Sequence, residues 1–104
     1  MDERSRLLLD ASPNMIIMFD SSLKVVDCNP VAQKFLGFET KEELLTGFLE
    51  RVARVTPPFQ PDGKPSPSLY EHLHTAVKKG HSEYETEIHI GGKLNLNVIL
   101  KKVP

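Results

Sequence analysis

The sequence predicts an α+β domain in which a mostly antiparallel sheet packs against helices on one of its faces. Strand-like segments stand near both ends of the chain, and helix-like segments lie between them. That order of elements is typical of the α+β class. The composition is that of an ordinary globular protein, with 39% hydrophobic and 26% charged residues. The 104 residues suffice for one domain, so we expect residues 1–104 to form a single unit.

Charge and cysteine content narrow the class of protein further. The formal net charge is −1, whereas a general affinity for nucleic acid or an anionic membrane needs clustered Lys and Arg. No apolar run approaches the roughly 20 residues that cross a bilayer, and Leu7–Leu9 is too short for the core of a signal peptide. Cys28 is the one cysteine, so the chain forms no internal disulfide. We therefore expect a cytoplasmic protein without nucleic-acid or membrane contacts.

Two short strands are predicted after a candidate N-terminal cap helix over residues 4–11. Met15–Phe19 is a continuous apolar run, which favours a strand buried on both faces. Asp20–Ser22 is typical of a turn, and Lys24–Cys28 follows as the returning strand. The two strands are predicted to pair as a hairpin.

Several short helices are predicted in the middle of the chain. Asn29 can cap a helix that begins at Pro30. Thr40 opens a Thr-x-x-Glu capping box, which predicts a second short helix ending at Gly47. Residues 48–55 are expected to form a further helical piece.

A long amphipathic helix is predicted after the proline-rich loop of residues 57–67. Ser68 is its expected N-cap, and Gly80 is expected to terminate it. One face carries an apolar stripe made by Leu69, Leu73, Ala76 and Val77.

The last two strands alternate apolar and polar residues, and this alternation sets their register. A two-residue Gly-Gly turn would place the apolar side chains of one strand beside the polar side chains of the other, because a slip of one residue exchanges the faces. A three-residue loop, Ile90–Gly92, pairs apolar with apolar: Ile88 with Leu94, Thr86 with Leu96, and Tyr84 with Val98. We predict that loop, with Gly92 in the left-handed conformation.

The motifs, in their order, resemble those of the PAS domain family. The segments that carry the resemblance are Ser12-Pro13-Asn14, the Phe19-Asp20 turn, Asn29-Pro30-x-Ala32-x-x-x-Leu36-Gly37-Phe38, Thr40-x-x-Glu43-Leu44-Leu45-x-Gly47 and Tyr84-Glu85-Thr86-Glu87. The resemblance covers nearly the whole chain. It implies a sensory or protein-interaction module of a signal-transduction protein, such as a two-component sensor kinase, a cyclic-dinucleotide enzyme or a transcription regulator.

The resemblance also implies partners and a missing strand. PAS domains bind small molecules, a second copy in a homodimer, or another PAS or effector domain. They have five strands, the last lying between the first and the fourth, whereas this sequence shows four. We therefore expect the first and last hairpins to lack the strand that joins them. Either the sequence stops short of it or a partner chain supplies it.

The expected ligand pocket lies between the helices and the inner face of the sheet. Its candidate lining residues are Ile17, Phe35, Leu44, Leu73, Val77, Leu96 and Val98. A filled core would use the same residues, so a ligand sensor and a pure dimerisation module both stay open. Ile99 and Val103 have the opposite parity to Leu94, Leu96, Val98 and Leu100, so they lie on the other face of the last strand. They indicate an apolar outer face that would suit dimerisation.

Three residues, His72, His74 and Cys28, are considered for cofactor chemistry. Some PAS domains ligate haem through a histidine on the long helix, so His72 would make this chain a gas sensor. His72 lies roughly 85° and His74 roughly 115° from the centre of the apolar stripe, which predicts edge or exposed histidines instead. Cys28 ends a strand and is expected to be a core thiol and not a flavin-linked one. No cofactor is predicted, with haem on His72 as the alternative.

Catalytic motifs are absent from the sequence. It contains no Ser-His-Asp set, phosphate-binding loop or Cys-x-x-Cys pair. We therefore expect that this domain is not an enzyme. Glu83, Glu85 and Glu87 form an acidic strip, which is expected to be the solvated face of a strand.

Overall fold

Within residues 13–66 and 68–103, the part of the chain that the computed structural model describes, four strands and three helices form an α+β fold. The candidate cap helix over residues 4–11 lies outside these residues. The elements are β1 (Met15–Phe19), β2 (Val25–Cys28), α1 (Pro30–Leu36), α2 (Lys41–Val55), α3 (Leu69–Lys79), β3 (His81–His89) and β4 (Lys93–Lys102). The predicted fold class is confirmed.

The four strands form one sheet in the order β2-β1-β4-β3. The two hairpins are antiparallel, as predicted. The expectation that the two hairpins lack a joining strand is wrong. β1 pairs directly with β4 in parallel, from Met15 beside Val98 to Phe19 beside Lys102. The amide N–H of Val103 extends this pairing by donating to the carbonyl of Phe19 at 2.8 Å. The free edges of the sheet are therefore β2 and β3.

The register of the last hairpin is the predicted one. Ile88 lies opposite Leu94, Thr86 opposite Leu96, and Tyr84 opposite Val98. Gly92 has the predicted positive φ, at 132°, and Gly91 has one as well, at 63°. Both angles favour glycine, so the Gly-Gly pair serves the turn at two positions.

Asn29 links the first hairpin to α1. Its side chain is fully buried. The Oδ1 atom accepts from the N–H of Ile16 at 3.0 Å and from the N–H of Ala32 at 3.2 Å. The Nδ2 atom donates to the carbonyl of Asn14 at 2.7 Å. Asn29 is therefore the predicted helix cap and also a brace on β1.

The middle helices differ from the prediction in one respect. α2 begins after the predicted cap at Thr40, but it continues through Gly47 to Val55 as one helix of 15 residues. A Cβ atom on Gly47 would lie 3.1 Å from Cε1 of Phe38. Gly47 therefore provides space for an aromatic ring and does not end the helix. The apolar face continues past it, with Leu44, Phe48, Val52 and Val55 buried.

The core lies between the helices and the inner face of the sheet. β1 contributes Ile17 and Phe19, and β4 contributes Leu96, Val98 and Leu100. No helix among the described residues is long and apolar enough to cross a membrane.

Replacement of Asn29 by alanine should destabilise the domain strongly. The change removes a helix cap, which costs about 1 kcal/mol. It also leaves the buried N–H of Ile16 without its side-chain acceptor, which costs about 1–3 kcal/mol. We expect Asn29→Ala to lower the free energy of unfolding by about 2–4 kcal/mol, measured by urea denaturation followed by circular dichroism.

Thr40→Ala is the matched control. Thr40 caps α2 through one bond, from the N–H of Glu43 to its Oγ1 atom at 3.1 Å, and it is exposed. Its loss should cost only about 1 kcal/mol. Equal losses for the two variants would show that Asn29 acts as a cap alone.

Candidate functional site

A cavity of about 300 Å³ opens between α2, the loop of residues 56–66, the start of α3, and β3. It is lined by Leu49, Val52, Ala53, Thr56, Pro57, Pro58, Ser66, Leu69, Tyr70, Tyr84 and Thr86. Tyr84 and Thr86 have the same parity as the core residue Ile88, so they lie on the inner face of β3. The cavity therefore lies between two helices, the loop and the inner face of β3.

None of the seven predicted lining residues borders this cavity. Ile17, Leu44, Leu73, Leu96 and Val98 are buried in the core, and Phe35 and Val77 are partly buried against it. Side chains of the helices and the sheet pack against one another at these positions and fill the space between them. The cavity forms beside this packed layer, where the loop of residues 56–66 borders the second half of α2 and the middle of β3. The seven residues as ligand contacts stay a prediction.

The loop of residues 56–66 is fixed to β3 by the side chain of Gln60. Its Oε1 atom accepts from the N–H of Glu87 at 2.7 Å. Its Nε2 atom donates to the carbonyl of Glu87 at 3.3 Å and to Oγ of Ser66 at 2.8 Å. The Ser66 hydroxyl in turn donates to the carbonyl of Pro57. These bonds hold the loop as one wall of the cavity.

Sequence reasoning missed this wall because loop residues show no periodicity. The available signal was the length of the segment, since long loops in compact domains are often functional. Leu69, at the first position of the α3 stripe, was a second signal, because such end positions border loops.

The cavity lining carries hydroxyl groups and no side chain that is charged at neutral pH. Burial raises the pKa of Tyr84 to about 12, so its phenol keeps its proton. The hydroxyl of Thr56 donates to the carbonyl of Val52 at 2.6 Å and that of Thr86 to the carbonyl of Glu87 at 3.4 Å. Their remaining lone pairs can accept from a bound molecule.

Tyr84 connects the cavity to α3 through His72. The imidazole and phenol rings are stacked, with centroids 3.9 Å apart and planes 10° apart. Nδ1 of His72 lies 3.1 Å from Oγ of Ser82. Burial lowers the pKa of His72 below its usual 6.5, and the carboxylate of Glu71 opposes that change. His72 lies at the edge of the helix face and His74 is exposed, as their spacing predicts.

The other cofactor candidate, Cys28, is buried in the core at the end of β2. Within residues 13–66 and 68–103, no group of three or more His, Cys, Asp or Glu side chains is arranged to hold a metal ion.

Fold and cavity together define an α+β domain with a ligand-sized opening between its helices and its sheet. The family model of the PAS domain matches residues 3–70, more than half of the chain. The chain therefore belongs to the PAS domain family, whose members are in general sensory and signalling modules and not catalysts. Neither a curated protein nor a solved structure matches the chain.

The lowered pKa of His72 predicts a pH dependence of stability. Between the two pKa values the unfolded chain binds more protons than the folded chain. The contribution of His72 is therefore complete above pH 6.5 and is lost as the pH falls below it. We expect urea denaturation to show a larger loss of stability between about pH 7.5 and about pH 5.5 for the wild type than for His72→Phe, which keeps a stacked ring. Equal losses would assign the pH dependence to other groups.

Proposed function

We propose that this domain senses an uncharged, largely apolar small molecule that binds in the cavity between α2, α3 and β3. The observation that carries the proposal is a cavity of about 300 Å³ with an apolar and hydroxyl lining. In this proposal the domain is cytoplasmic and non-catalytic. It belongs to a sensor kinase, a cyclic-dinucleotide enzyme or a transcription regulator, and it passes the binding event to that effector.

The chemistry of the lining supports an uncharged ligand. A volume of about 300 Å³ is at the small end of ligand pockets. A charged group placed there would lose its hydration without an ionic partner, which is costly. Thr56, Ser66 and Thr86 instead offer hydroxyl oxygens to a hydrogen-bond donor on the ligand. A compact aromatic or alicyclic molecule with one polar N–H or O–H suits this lining.

The stacked pair of His72 and Tyr84 supports a route by which binding changes the fold. A ligand in the cavity contacts Tyr84, and Tyr84 packs on His72 of α3. A ligand that prefers one arrangement of this pair shifts the population between arrangements of α3 on the sheet. The bond from His72 to Ser82 fixes the arrangement described above.

The positions of His72 and Cys28 support a ligand other than haem or flavin. The imidazole of His72 is stacked on Tyr84 and its Nδ1 atom is engaged by Ser82. The thiol of Cys28 lies in the packed core and away from the cavity lining. A visible absorbance spectrum of the purified protein tests this part, because haem or flavin would give characteristic bands.

Homodimerisation through the outer face of the sheet is a second candidate function. Ile16 lies beside Ile99 on that face, and Met18 is two residues further along β1. Ile99, Met18 and Val103 are only partly buried. An apolar row of this kind favours association with another surface.

Binding of indole, a small uncharged aromatic probe, tests the cavity. We expect ligand-observed NMR to detect indole binding to the wild type. Ala53→Phe should weaken it at least about tenfold, because a phenyl ring fills most of a small pocket. Ala53 lines the cavity and is exposed enough to accept a larger side chain without repacking the core.

Arg54→Phe is the control for this substitution. Arg54 is the next residue of α2, is exposed, and does not line the cavity. It should bind indole as the wild type does. No indole binding to the wild type, or equal weakening by both variants, would contradict the proposed site.

A further inference from the structure

β3 is an edge strand whose outer backbone groups follow a simple alternation. The N–H and C=O groups of successive residues in an antiparallel ladder point alternately toward the partner strand and away from it. The carbonyl of Gly80 faces β4, where it accepts from the N–H of Lys102 at 3.0 Å. The N–H and C=O of Glu87 face away, toward Gln60. Glu83 and Glu85 lie at even spacings from Glu87. Their backbone N–H and C=O groups therefore also point away from β4, toward the open edge of the sheet.

Gln60 limits the part of this edge that is available. Its amide pairs with both backbone groups of Glu87, as an added strand would, and so blocks further pairing there. Next to Gln60, a second cavity of about 380 Å³ lies between residues 60–65 and β3 at Glu85 and Thr86. The backbone groups of Glu83 and Glu85 bond to no group in the described part of the chain outside their own strand pair. The open edge is thus His81–Glu85.

The side chains along this edge are acidic on one face. Glu83 and Glu85 are exposed on the outer face, opposite Ile99 and Asn97 of β4. Glu83 is oriented by the Nδ2 atom of Asn97, which donates to its Oε1 atom at 2.6 Å. Residues of an added strand directly opposite Glu83 and Glu85 would have their Cβ atoms about 5 Å from the Cβ atoms of these residues. Opposite charges at that distance favour pairing and like charges oppose it.

This charge pattern selects the occupant. Two copies of the His81–Glu85 edge paired antiparallel would set Glu83 against Glu83 in one register, or Glu83 against Glu85 in another, so a second copy is disfavoured. We propose that the His81–Glu85 edge binds an extended peptide segment with Lys or Arg at alternate positions, by adding it to the sheet as a fifth strand. The basic residues face Glu83 and Glu85, and the intervening residues share the face of Ser82 and Tyr84, where β-branched apolar side chains fit.

A synthetic seven-residue peptide in which lysine alternates with valine is the probe. We expect fluorescence anisotropy to detect its binding to the 104-residue chain at low ionic strength. Two N-methylated forms, one methylated at every lysine and one at every valine, separate strand addition from simple charge attraction. In one of the two forms the methylated N–H groups are those that face β3. That form should bind at least about tenfold more weakly than the unmethylated peptide. Equal binding of all three peptides would overturn the proposal.

Charge-reversal variants locate the site. Glu85→Lys should weaken peptide binding at least about fivefold. Glu50→Lys makes the same charge change at an exposed position of α2 and should leave the affinity within about twofold. Equal weakening by both variants would overturn the assignment to this edge. Sedimentation velocity tests the alternative that a second copy occupies the edge. The proposal would be overturned if the chain dimerised without the peptide and Glu85→Lys abolished the dimer.

Discussion

The parallel pairing of β1 with β4 joins two hairpins into one sheet, and the core depends on it. It places Met15 beside Val98 and Ile17 beside Leu100, so the inner faces of both hairpins form one apolar surface. The helices pack on that surface, as the buried side chain of Leu73 on α3 shows. A two-stranded hairpin alone buries too little apolar area to be stable in water. The β1–β4 pairing therefore gives the helices one continuous apolar surface in place of two separate hairpins.

One loop determines the character of both candidate binding regions. Residues 56–66 form a wall of the cavity, and Gln60 from the same loop pairs with the backbone of Glu87 at the edge of β3. Ser66 is bonded to Gln60 and also lines the cavity. The cavity wall and the limit of the open strand edge are thus a single structural unit. The sensory character of the PAS domain family is consistent with a binding cavity bordered by a loop and by packed elements.

The sequence predicted the apolar layer between helices and sheet, but not the residues that line the cavity beside it. The strand and helix stripes predict where an apolar layer lies, and Leu73 and Val98 are indeed in it. A cavity is a place where such a layer is incomplete. Its position depends on the conformation of the loop of residues 56–66 and on the position of the Tyr84 side chain. Tyr84 of β3 stacks on His72 of α3. Neither the helical spacing of α3 nor the alternation of β3 predicts this contact between them. Composition alone therefore could not separate core residues from lining residues.

Local interactions were determined by the sequence alone. Asn29, Thr40 and Ser68 cap their helices as predicted, since a cap requires one side chain and an amide three residues away. The register of β3 on β4 follows from side-chain parity, because a slip of one residue would bury polar groups. Tertiary structure alone decided the helical role of Gly47 and the pairing of β1 with β4. Both depend on elements distant in sequence approaching in space, and no local pattern encodes that distance.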